Sequence, residues 1–299
     1  MWYTLSKVSL ENIWGYFVAS NYWWILFGVF LGLLSHLSRA YRWRFQLEPM
    51  GYNIKFSNSV MAVFAAYLIN YTIPRAGEVT RATIVANYED VPFEKGFGTI
   101  VAERIADLIV MFFIILVTLF VQFDFICGFF VEKFDAIKIL IALSILILLL
   151  IIFFRFIKRG KSVLAVKIRI FINGLLEGAL SVFKMKKKWA FIFHTLFIWA
   201  MYILMFYVTS IAIEDLEGIT TGAILIGFIA SSFSIVATNG GIGSYPLAVY
   251  AAFSIFGIAE EPSIACGWIM WASQTLMIIV YGGLSLIYLP IYNRTSPKT

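Results

Sequence analysis

The chain has 299 residues, of which 61% are hydrophobic, 18% are aromatic and only 13% are charged, with a formal net charge of +6. Ordinary soluble domains carry about 25% charged residues, so this composition argues against a water-soluble enzyme and a disordered chain. Two cysteines exclude a disulfide scaffold, and the long unbroken apolar runs disfavour an outer-membrane β-barrel. We therefore expect an all-α polytopic membrane protein.

Charge-poor stretches long enough to cross a bilayer, which takes about 20 apolar residues, define the predicted spans. The second of them, residues 57–74, is unusually polar. A later stretch, residues 218–259, carries no charged residue over its whole length. The other predicted spans, in chain order, are residues 22–38, 108–123, 139–154, 189–213 and 262–293.

Basic residues indicate which connections face the cytoplasm. Residues 155–188 hold ten Lys or Arg residues against a single acidic residue, and residues 39–55 also have a basic excess. The acidic loops at 124–135, 214–217 and 260–261 are therefore placed outside. This assignment puts the C-terminus in the cytoplasm and predicts a multi-pass protein of the bacterial-type inner (plasma) membrane.

The predicted sides create a parity conflict, which indicates two re-entrant hairpins. Both ends of residues 56–74 face the cytoplasm, although the segment is long enough for only one crossing. Both ends of residues 218–259 face outside, and the Gly-rich run at 238–246 is a poor helix interior. We therefore expect a break in each segment, because irregular backbone at membrane depth persists only inside protein or beside a watery cavity.

The order of spans and hairpins in the first half is the mirror of that in the second half. This pattern predicts a single transmembrane domain over residues 1–299, with about six full spans and two broken-helix hairpins in an inverted repeat. The first repeat covers residues 1–135, a linker helix and basic segment cover 136–188, and the second repeat covers 189–299. Paired broken helices in inverted repeats mark transport sites near the membrane midplane.

Four spaced motifs resemble the flippase-like transmembrane family, and they read RAYRW at 39–43, PRAGEVTR at 74–81, GTIVAERIAD at 98–107 and NGGIG at 239–243. That family includes the flippase domain of bacterial lysyl-phosphatidylglycerol synthase and inner-membrane proteins of the UPF0104 type. The resemblance implies lipid handling. It does not imply synthase activity, because these spans leave no soluble domain for tRNA-dependent transfer. Family members commonly carry another hydrophobic segment first, so residues 1–20 are either its remnant or an interfacial amphipathic helix.

The first candidate site residues are Glu103, Arg104 and Asp107. Only 16 residues separate Asp107 from the next acidic residue, which is about 24 Å of helix, so the helix must extend backwards and bring acidic groups into the membrane edge. Glu103 and Asp107 share a helix face, repel each other and need a cation, for which Arg75 and Arg81 are the expected suppliers. The group is either a headgroup site or a salt bridge that locks the first hairpin to the next span.

A second candidate group, Arg75, Glu78 and Arg81, follows Pro74, which favours a helix start. Spacings of three place the group near one helix face, and arginine binds phosphate through two parallel hydrogen bonds. These residues are therefore predicted to contact a lipid phosphate. The alternative is a membrane-interface cap with arginines that extend to the headgroup region.

The third candidate group is the turn that contains Asn239, Gly240, Gly241 and Gly243. Glycines in such a run permit a nest of backbone N–H groups that binds an anionic headgroup. The alternative is a tight turn between two helices.

Together these features predict a lipid flippase or transporter that moves a polar headgroup through a charged cleft. Its expected partners are membrane lipids of the phospholipid or polyprenyl-phosphate type, without nucleic acid, cofactor or metal. We find no nucleotide, metal or nucleophile motif in the sequence that would indicate an enzyme. His36 and His194 are expected to be packed or hydrogen-bonded rather than to bind a metal. Two alternatives remain, namely a lipid-modifying transferase that uses Glu103 or Asp107 as general base and a scaffold for a glycosyltransferase.

Overall fold

The computed structural model describes residues 9–125 and 185–294, together with residues 128, 144, 145, 148, 155 and 166. Within these residues every regular element is helical, which confirms the predicted all-α class. The chain divides into a first unit, Met1–Glu103 with Met185–Thr299, and a second unit, Arg104–Lys184. The predicted span at 139–154 and most of the basic segment lie outside the described residues.

The helices of the described residues are α1 (Leu10–Ala19), α2 (Tyr22–Leu47), α3 (Phe56–Thr72), α4 (Ala76–Tyr88), α5 (Phe93–Val121), α6 (Lys188–Ser210), α7 (Thr221–Ala237), α8 (Ser244–Ser254) and α9 (Glu260–Asn293). In this part of the chain, four helices are long and apolar enough to cross a membrane, namely α2, α5, α6 and α9. The helix α5 begins at Phe93, so the predicted backward extension of the span at 108–123 is confirmed.

The helix α2 is longer than the predicted span at 22–38. It continues to Leu47, so the prediction that residues 39–47 belong to a loop is wrong. Arg39 and Arg42 are buried in this extension rather than exposed at its end. The physical reason is that their charge is matched by a buried carboxylate from α5, and paired charges can lie inside a helix bundle where single charges cannot.

The first hairpin consists of α3, the turn at 73–75 and α4. Its arms are antiparallel, because Asn58 near the start of α3 donates to Glu89 at the end of α4, and Asn70 accepts from the Gly77 N–H at 2.7 Å. The expected break inside residues 56–74 is wrong, since α3 is unbroken to Thr72. The chain reverses later because Pro74 disfavours a helical conformation at the residue before it.

The second hairpin consists of α7, the turn at 238–243 and α8. The predicted break within residues 238–246 is confirmed, since α7 ends at Ala237 and α8 begins at Ser244. The turn requires glycine, because φ is +67° at Gly240 and +79° at Gly241. Across its base, Ser234 Oγ donates to Ser244 Oγ at 2.7 Å.

The loops of the first unit separate by charge to its two ends. At the acidic end, the hydroxyl of Tyr16 in α1 donates to Asp215 at 2.9 Å, and Asn12 Nδ2 donates to Glu261 at 3.0 Å. At the basic end, Lys187 Nζ lies 2.9 Å from a Glu48 carboxylate oxygen. The loops at 214–217 and 260–261 therefore share one end, as the predicted sides require.

The two hairpins open at opposite ends of the first unit. Asn293, at the end of α9, exchanges hydrogen bonds of 2.9 Å with Asn58 near the start of the first hairpin, which therefore opens at the basic end. The second hairpin follows the acidic 3-10 turn Glu214–Leu216 and ends just before the acidic start of α9. Each hairpin thus extends from its own end into the interior of the unit.

The helix α9 packs closely against both hairpins through glycine. A Cβ atom at Gly282 would lie 2.6 Å from Leu68 Cβ on the first hairpin, and one at Gly267 would lie 2.5 Å from Pro246 Cα on the second. Real Cβ atoms do not approach so closely, so only glycine permits this packing at either position. A core cluster at the basic end adds contacts with Trp43, and its other members without exposed surface are Leu47, Ala62, Ala65, Ala82 and Val85.

The second unit is described through the C-terminal part of α5. Its large apolar side chains are mostly exposed, with exposed fractions of 58% for Phe112 and 84% for Phe120. A helix whose exposed surface is formed by apolar side chains is suited to contact with lipid. This agrees with a transmembrane position for α5.

Candidate functional site

The tips of the two hairpins meet in the interior of the first unit. Asn239 Nδ2 donates to the Tyr71 carbonyl oxygen at 2.9 Å, and the Gly240 carbonyl accepts from Trp271 Nε1 at 2.8 Å. Thr275 Oγ1 donates to the Tyr71 hydroxyl at 3.2 Å. A Cβ at Gly240 would lie 2.7 Å from the Tyr71 ring, so glycine is needed for this contact. We call these contacts the tip junction.

Arg75 lies in the turn of the first hairpin, beside the tip junction. It is exposed, and its φ of +62° places it just before α4 in a left-handed conformation. The described residues provide no ion pair for it, so the expected pairing of Arg75 with Glu103 is wrong. Glu78 is half-buried on the first turn of α4. The expected shared face with Arg75 is also absent, because the helix begins only at Ala76.

Two backbone N–H groups of the turn in the second hairpin form hydrogen bonds within the turn. The Gly240 N–H donates to the Thr238 carbonyl at 3.0 Å, and the Gly241 N–H donates to Thr238 Oγ1 at 3.1 Å. These two N–H groups are therefore occupied, and the prediction of an open anion nest is wrong for them. Gly243 also has a positive φ, of +74°, and directly precedes α8. The segment forms a turn between α7 and α8, which is compatible with the alternative prediction.

A cluster of buried charges lies closer to the basic end. Within the described residues, three arginines converge on Glu103, which has no exposed surface. Arg39 Nη1 lies 2.7 Å from Glu103 Oε1, and Arg42 Nη2 lies 3.3 Å from the same oxygen. Arg81 donates to both carboxylate oxygens, at 3.1 and 3.2 Å. We call these four residues the charge cluster.

Neighbouring side chains hold the guanidinium groups of the charge cluster in place. The Arg81 guanidinium lies 3.9 Å from the centre of the Trp43 ring, and Arg42 Nη1 donates to Thr195 Oγ1 at 2.8 Å. Burial of an ion costs several kcal/mol, which only well-placed partners offset. The charge cluster connects α2, α4, α5 and α6. This arrangement favours the predicted alternative of a lock between the first hairpin and the spans.

Sequence reasoning found Arg81 and Glu103 but missed Arg39 and Arg42 as members of the site. Span assignment by charge places both residues in a loop, because charged residues normally mark the end of a span. A signal was present in their spacing, since a polar stripe with helical periodicity runs through Ser35, Arg39, Arg42 and Gln46. That stripe indicates that the helix continues past residue 38 with one polar face.

Arg104 and Asp107 lie in the second unit, on the part of α5 that follows Glu103. Arg104 Nη1 and Asp107 Oδ2 are 3.8 Å apart, with a spacing of three residues. Asp107 is buried and Arg104 is half-buried. The structure thus provides Asp107 with a cation from its own helix, whereas sequence reasoning expected the first hairpin to supply it.

An acidic cavity of about 640 Å³ lies at the acidic end, between α1 and the start of α9. Tyr16 and Asp215 line it together with Glu260 and Glu261. Burial, followed by the hydrogen bond to Asp215, raises the pKa of Tyr16 to about 12. The Tyr16 hydroxyl therefore remains a hydrogen-bond donor at neutral pH, which fixes α1 to the loop at 214–217.

The histidines of the described residues are packed or hydrogen-bonded, as predicted. His194 Nδ1 lies 2.8 Å from Ser38 Oγ, and the His36 ring centre lies 4.6 Å from that of Tyr67. In the part of the chain that the structure describes, no group of His, Cys, Asp and Glu side chains is arranged to hold a metal ion.

Comparison with known proteins gives the chain relatives over nearly its whole length. A family model described as "Lysylphosphatidylglycerol synthase TM region" matches residues 1–282. A UPF0104 membrane protein of Methanocaldococcus jannaschii is 24% identical over 295 aligned positions, and the match covers 87% of this chain and 82% of that relative. No solved structure matches the chain. The resemblance inferred from the four motifs is thereby confirmed.

Proposed function

The chain belongs to the membrane-protein family of the lysylphosphatidylglycerol synthase transmembrane region, and we propose that it is a flippase for polar lipids. The headgroup passes between the tips of the two hairpins, while the acyl chains remain in the bilayer. The observation that carries this proposal is the tip junction, where hairpins from opposite ends of the first unit come into contact.

The proposal gives the hairpins a place in the membrane. They are re-entrant from opposite faces and form the centres of an inverted repeat, with the basic end in the cytoplasm and the acidic end outside. Trp271, which contacts the second hairpin, and Thr275, which contacts the first, lie within about 8 Å of the midpoint of α9, at 1.5 Å per residue. The tip junction is then close to the bilayer centre, where paired broken helices form transport sites.

Arg75 is the proposed contact for the headgroup phosphate. A cation within a bilayer costs about 2.5–3.5 kcal/mol on insertion scales, and an anionic headgroup offsets that cost. Arginine also binds a phosphate through two parallel hydrogen bonds. Glu78 follows three residues later, on the first turn of α4, and Asn239 contacts Tyr71, four residues before Arg75. Arg81 and Glu103 fix the first hairpin in place.

We expect transport to depend on the charge of Arg75. The full chain is reconstituted into vesicles with acyl-labelled fluorescent phospholipids, and transfer to the outer leaflet is followed by dithionite quenching. Arg75→Gln should slow transfer about tenfold, which corresponds to about 1.4 kcal/mol, and Arg75→Lys should retain part of the rate. Both variants place a non-glycine residue at the same left-handed position, and only lysine keeps the positive charge.

The matched control is Arg294→Gln, which removes an exposed arginine at the end of α9. It should transfer lipid at the wild-type rate. A wild-type rate for Arg75→Gln would contradict the proposed site, and failure of the wild-type protein to move any lipid would contradict the function. A lipid of altered mass after incubation would support the transferase alternative.

A further inference from the structure

A group of polar and aromatic side chains lies between the charge cluster and the tip junction, and neither feature uses it. His36 of α2 is buried, and its ring centre lies 4.6 Å from Tyr67, 5.4 Å from Phe64 and 6.3 Å from Tyr202. The Tyr202 hydroxyl in turn lies 3.5 Å from Arg39 Nη2. His36 is therefore enclosed by aromatic rings, one of which reaches the charge cluster.

Gln274 of α9 connects the same group to the tip junction. Its side chain lies against α2 at Gly32, where an added Cβ would be 3.3 Å from Gln274 Cδ and closer still to its oxygen. Gly32 is one helical turn before His36. Thr275, the next residue on α9, donates to Tyr71 in the tip junction. The Gln274 amide is therefore one residue along α9 from a contact of the tip junction.

Several buried polar atoms of this group have no hydrogen-bond partner among the described residues, namely His36 Nδ1, Gln274 Nε2 and Trp199 Nε1. The Trp199 ring lies 6.1 Å from that of Tyr202. A buried polar atom without a partner is unfavourable, and hydrocarbon offers it none. Such atoms on neighbouring side chains indicate a ligand that supplies their partners.

We propose that His36, Gln274 and Trp199 form a polyol site, which binds the hydroxyl-bearing part of the headgroup of the transported lipid. Indole and amide N–H groups donate, and a hydroxyl both accepts and donates, so hydroxyls can satisfy all three side chains. Uncharged donors and aromatic walls suit a neutral polyol, whereas the phosphate is assigned to Arg75. This inference rests on the proposed function and adds the class of headgroup.

The test measures binding separately from transport. The detergent-purified full chain is titrated with short-chain phosphatidylinositol, short-chain phosphatidylmethanol and free inositol, and tryptophan fluorescence reports binding. These lipids share the phosphodiester and differ in the polyol. We expect phosphatidylinositol to bind at least about tenfold more tightly than phosphatidylmethanol, since a site built to bind hydroxyls discriminates against analogues that lack them. Equal affinities would overturn the inference, and tight binding of free inositol would show that the ligand is not a lipid.

Variants assign the selectivity to the proposed residues. His36→Phe and Gln274→Leu should lower the affinity for phosphatidylinositol to that for phosphatidylmethanol, whose own affinity should not change. His36→Asn keeps a polar atom near the position of Nδ1 and should retain part of the selectivity. Gly32→Ala displaces the Gln274 amide without replacing it and should resemble Gln274→Leu. An equal loss for both lipids would show that these residues serve only the fold.

The same lipids in the vesicle assay separate the two proposals. Selective binding without any transfer by the wild-type protein would refute the flippase function and leave the polyol site in place. Transfer of both lipids at equal rates, with equal binding, would refute the polyol site and leave the flippase function in place. Thermal unfolding of each variant is recorded in parallel, and Gly32→Ala is the decisive variant if His36→Phe unfolds.

Discussion

Replacement of Glu103 by glutamine is expected to destabilise the protein by about 3–5 kcal/mol, the usual cost of removing one partner from a buried ion pair. Arg39, Arg42 and Arg81 would keep their positive charges inside the bundle and lose the carboxylate on which they converge. Because the charge cluster joins four helices, its loss should release α4 from α2. The measurement is the thermal unfolding midpoint of the purified chain in detergent.

The matched control is Glu94→Gln, on the exposed first turn of the same helix. An exposed substitution of this kind should change stability by no more than about 0.5 kcal/mol. The comparison also separates the two interpretations of the charge cluster. If Glu103→Gln unfolds at the wild-type temperature but no longer transfers lipid, the cluster is a headgroup site and the lock interpretation is wrong.

Replacement of Gly77 by alanine is the second change with a large expected effect. A Cβ there would overlap with the Ala66 carbonyl oxygen on the opposite arm of the first hairpin and lie 2.6 Å from Asn70 Nδ2. The carbonyl oxygen is part of the backbone, so the overlap is relieved only if the two arms separate. We expect a loss of about 3 kcal/mol, at the upper end of the range for overpacking, visible as a lower unfolding midpoint.

Gly98→Ala on α5 provides the control for the Gly77 variant. Gly98 also lies inside a helix, but no atom lies within 4 Å of an added Cβ. Alanine should therefore be neutral there or stabilise the helix by up to about 1 kcal/mol. Similar unfolding midpoints for the two variants would show that the arms of the first hairpin are not closely packed.

The sequence predicts the parts of this fold that depend on local chemistry or on length. The break at 238–246 follows from consecutive glycines, which destabilise a helix and permit the positive φ angles seen at Gly240 and Gly241. The backward extension of α5 follows from arithmetic, since the apolar run after Asp107 is too short to cross a bilayer. The ion pair between Arg81 and Glu103 is predicted correctly, because two opposite charges at the membrane edge need each other.

The parts that the sequence did not predict depend on contacts between residues far apart in the chain. Arg39 is buried because Glu103, 64 residues later, reaches it, and span assignment by charge treats such an arginine as the end of a helix. The same rule confined the first hairpin to residues 56–74, whereas its returning arm is Ala76–Tyr88. The neighbourhood of His36 and Gln274 likewise depends on how α2 packs against α9.

The central claim is that the two hairpins enter the membrane from opposite faces. Its most direct test is to determine from which side the base of each hairpin is accessible. In a background in which Cys127 and Cys266 are replaced by alanine, single cysteines are introduced by Ser57→Cys and Asn87→Cys on the first hairpin. Gly218→Cys and Ser254→Cys are introduced at the base of the second hairpin. All four positions are exposed in the structure, and a membrane-impermeant maleimide is applied to right-side-out and inside-out vesicles.

Two re-entrant hairpins from opposite faces require that Ser57→Cys and Asn87→Cys react only in inside-out vesicles. Gly218→Cys and Ser254→Cys should react only in right-side-out vesicles. Labelling of Ser57→Cys and Asn87→Cys from opposite faces, or labelling of all four positions from the same face, would contradict the proposed path for the lipid headgroup.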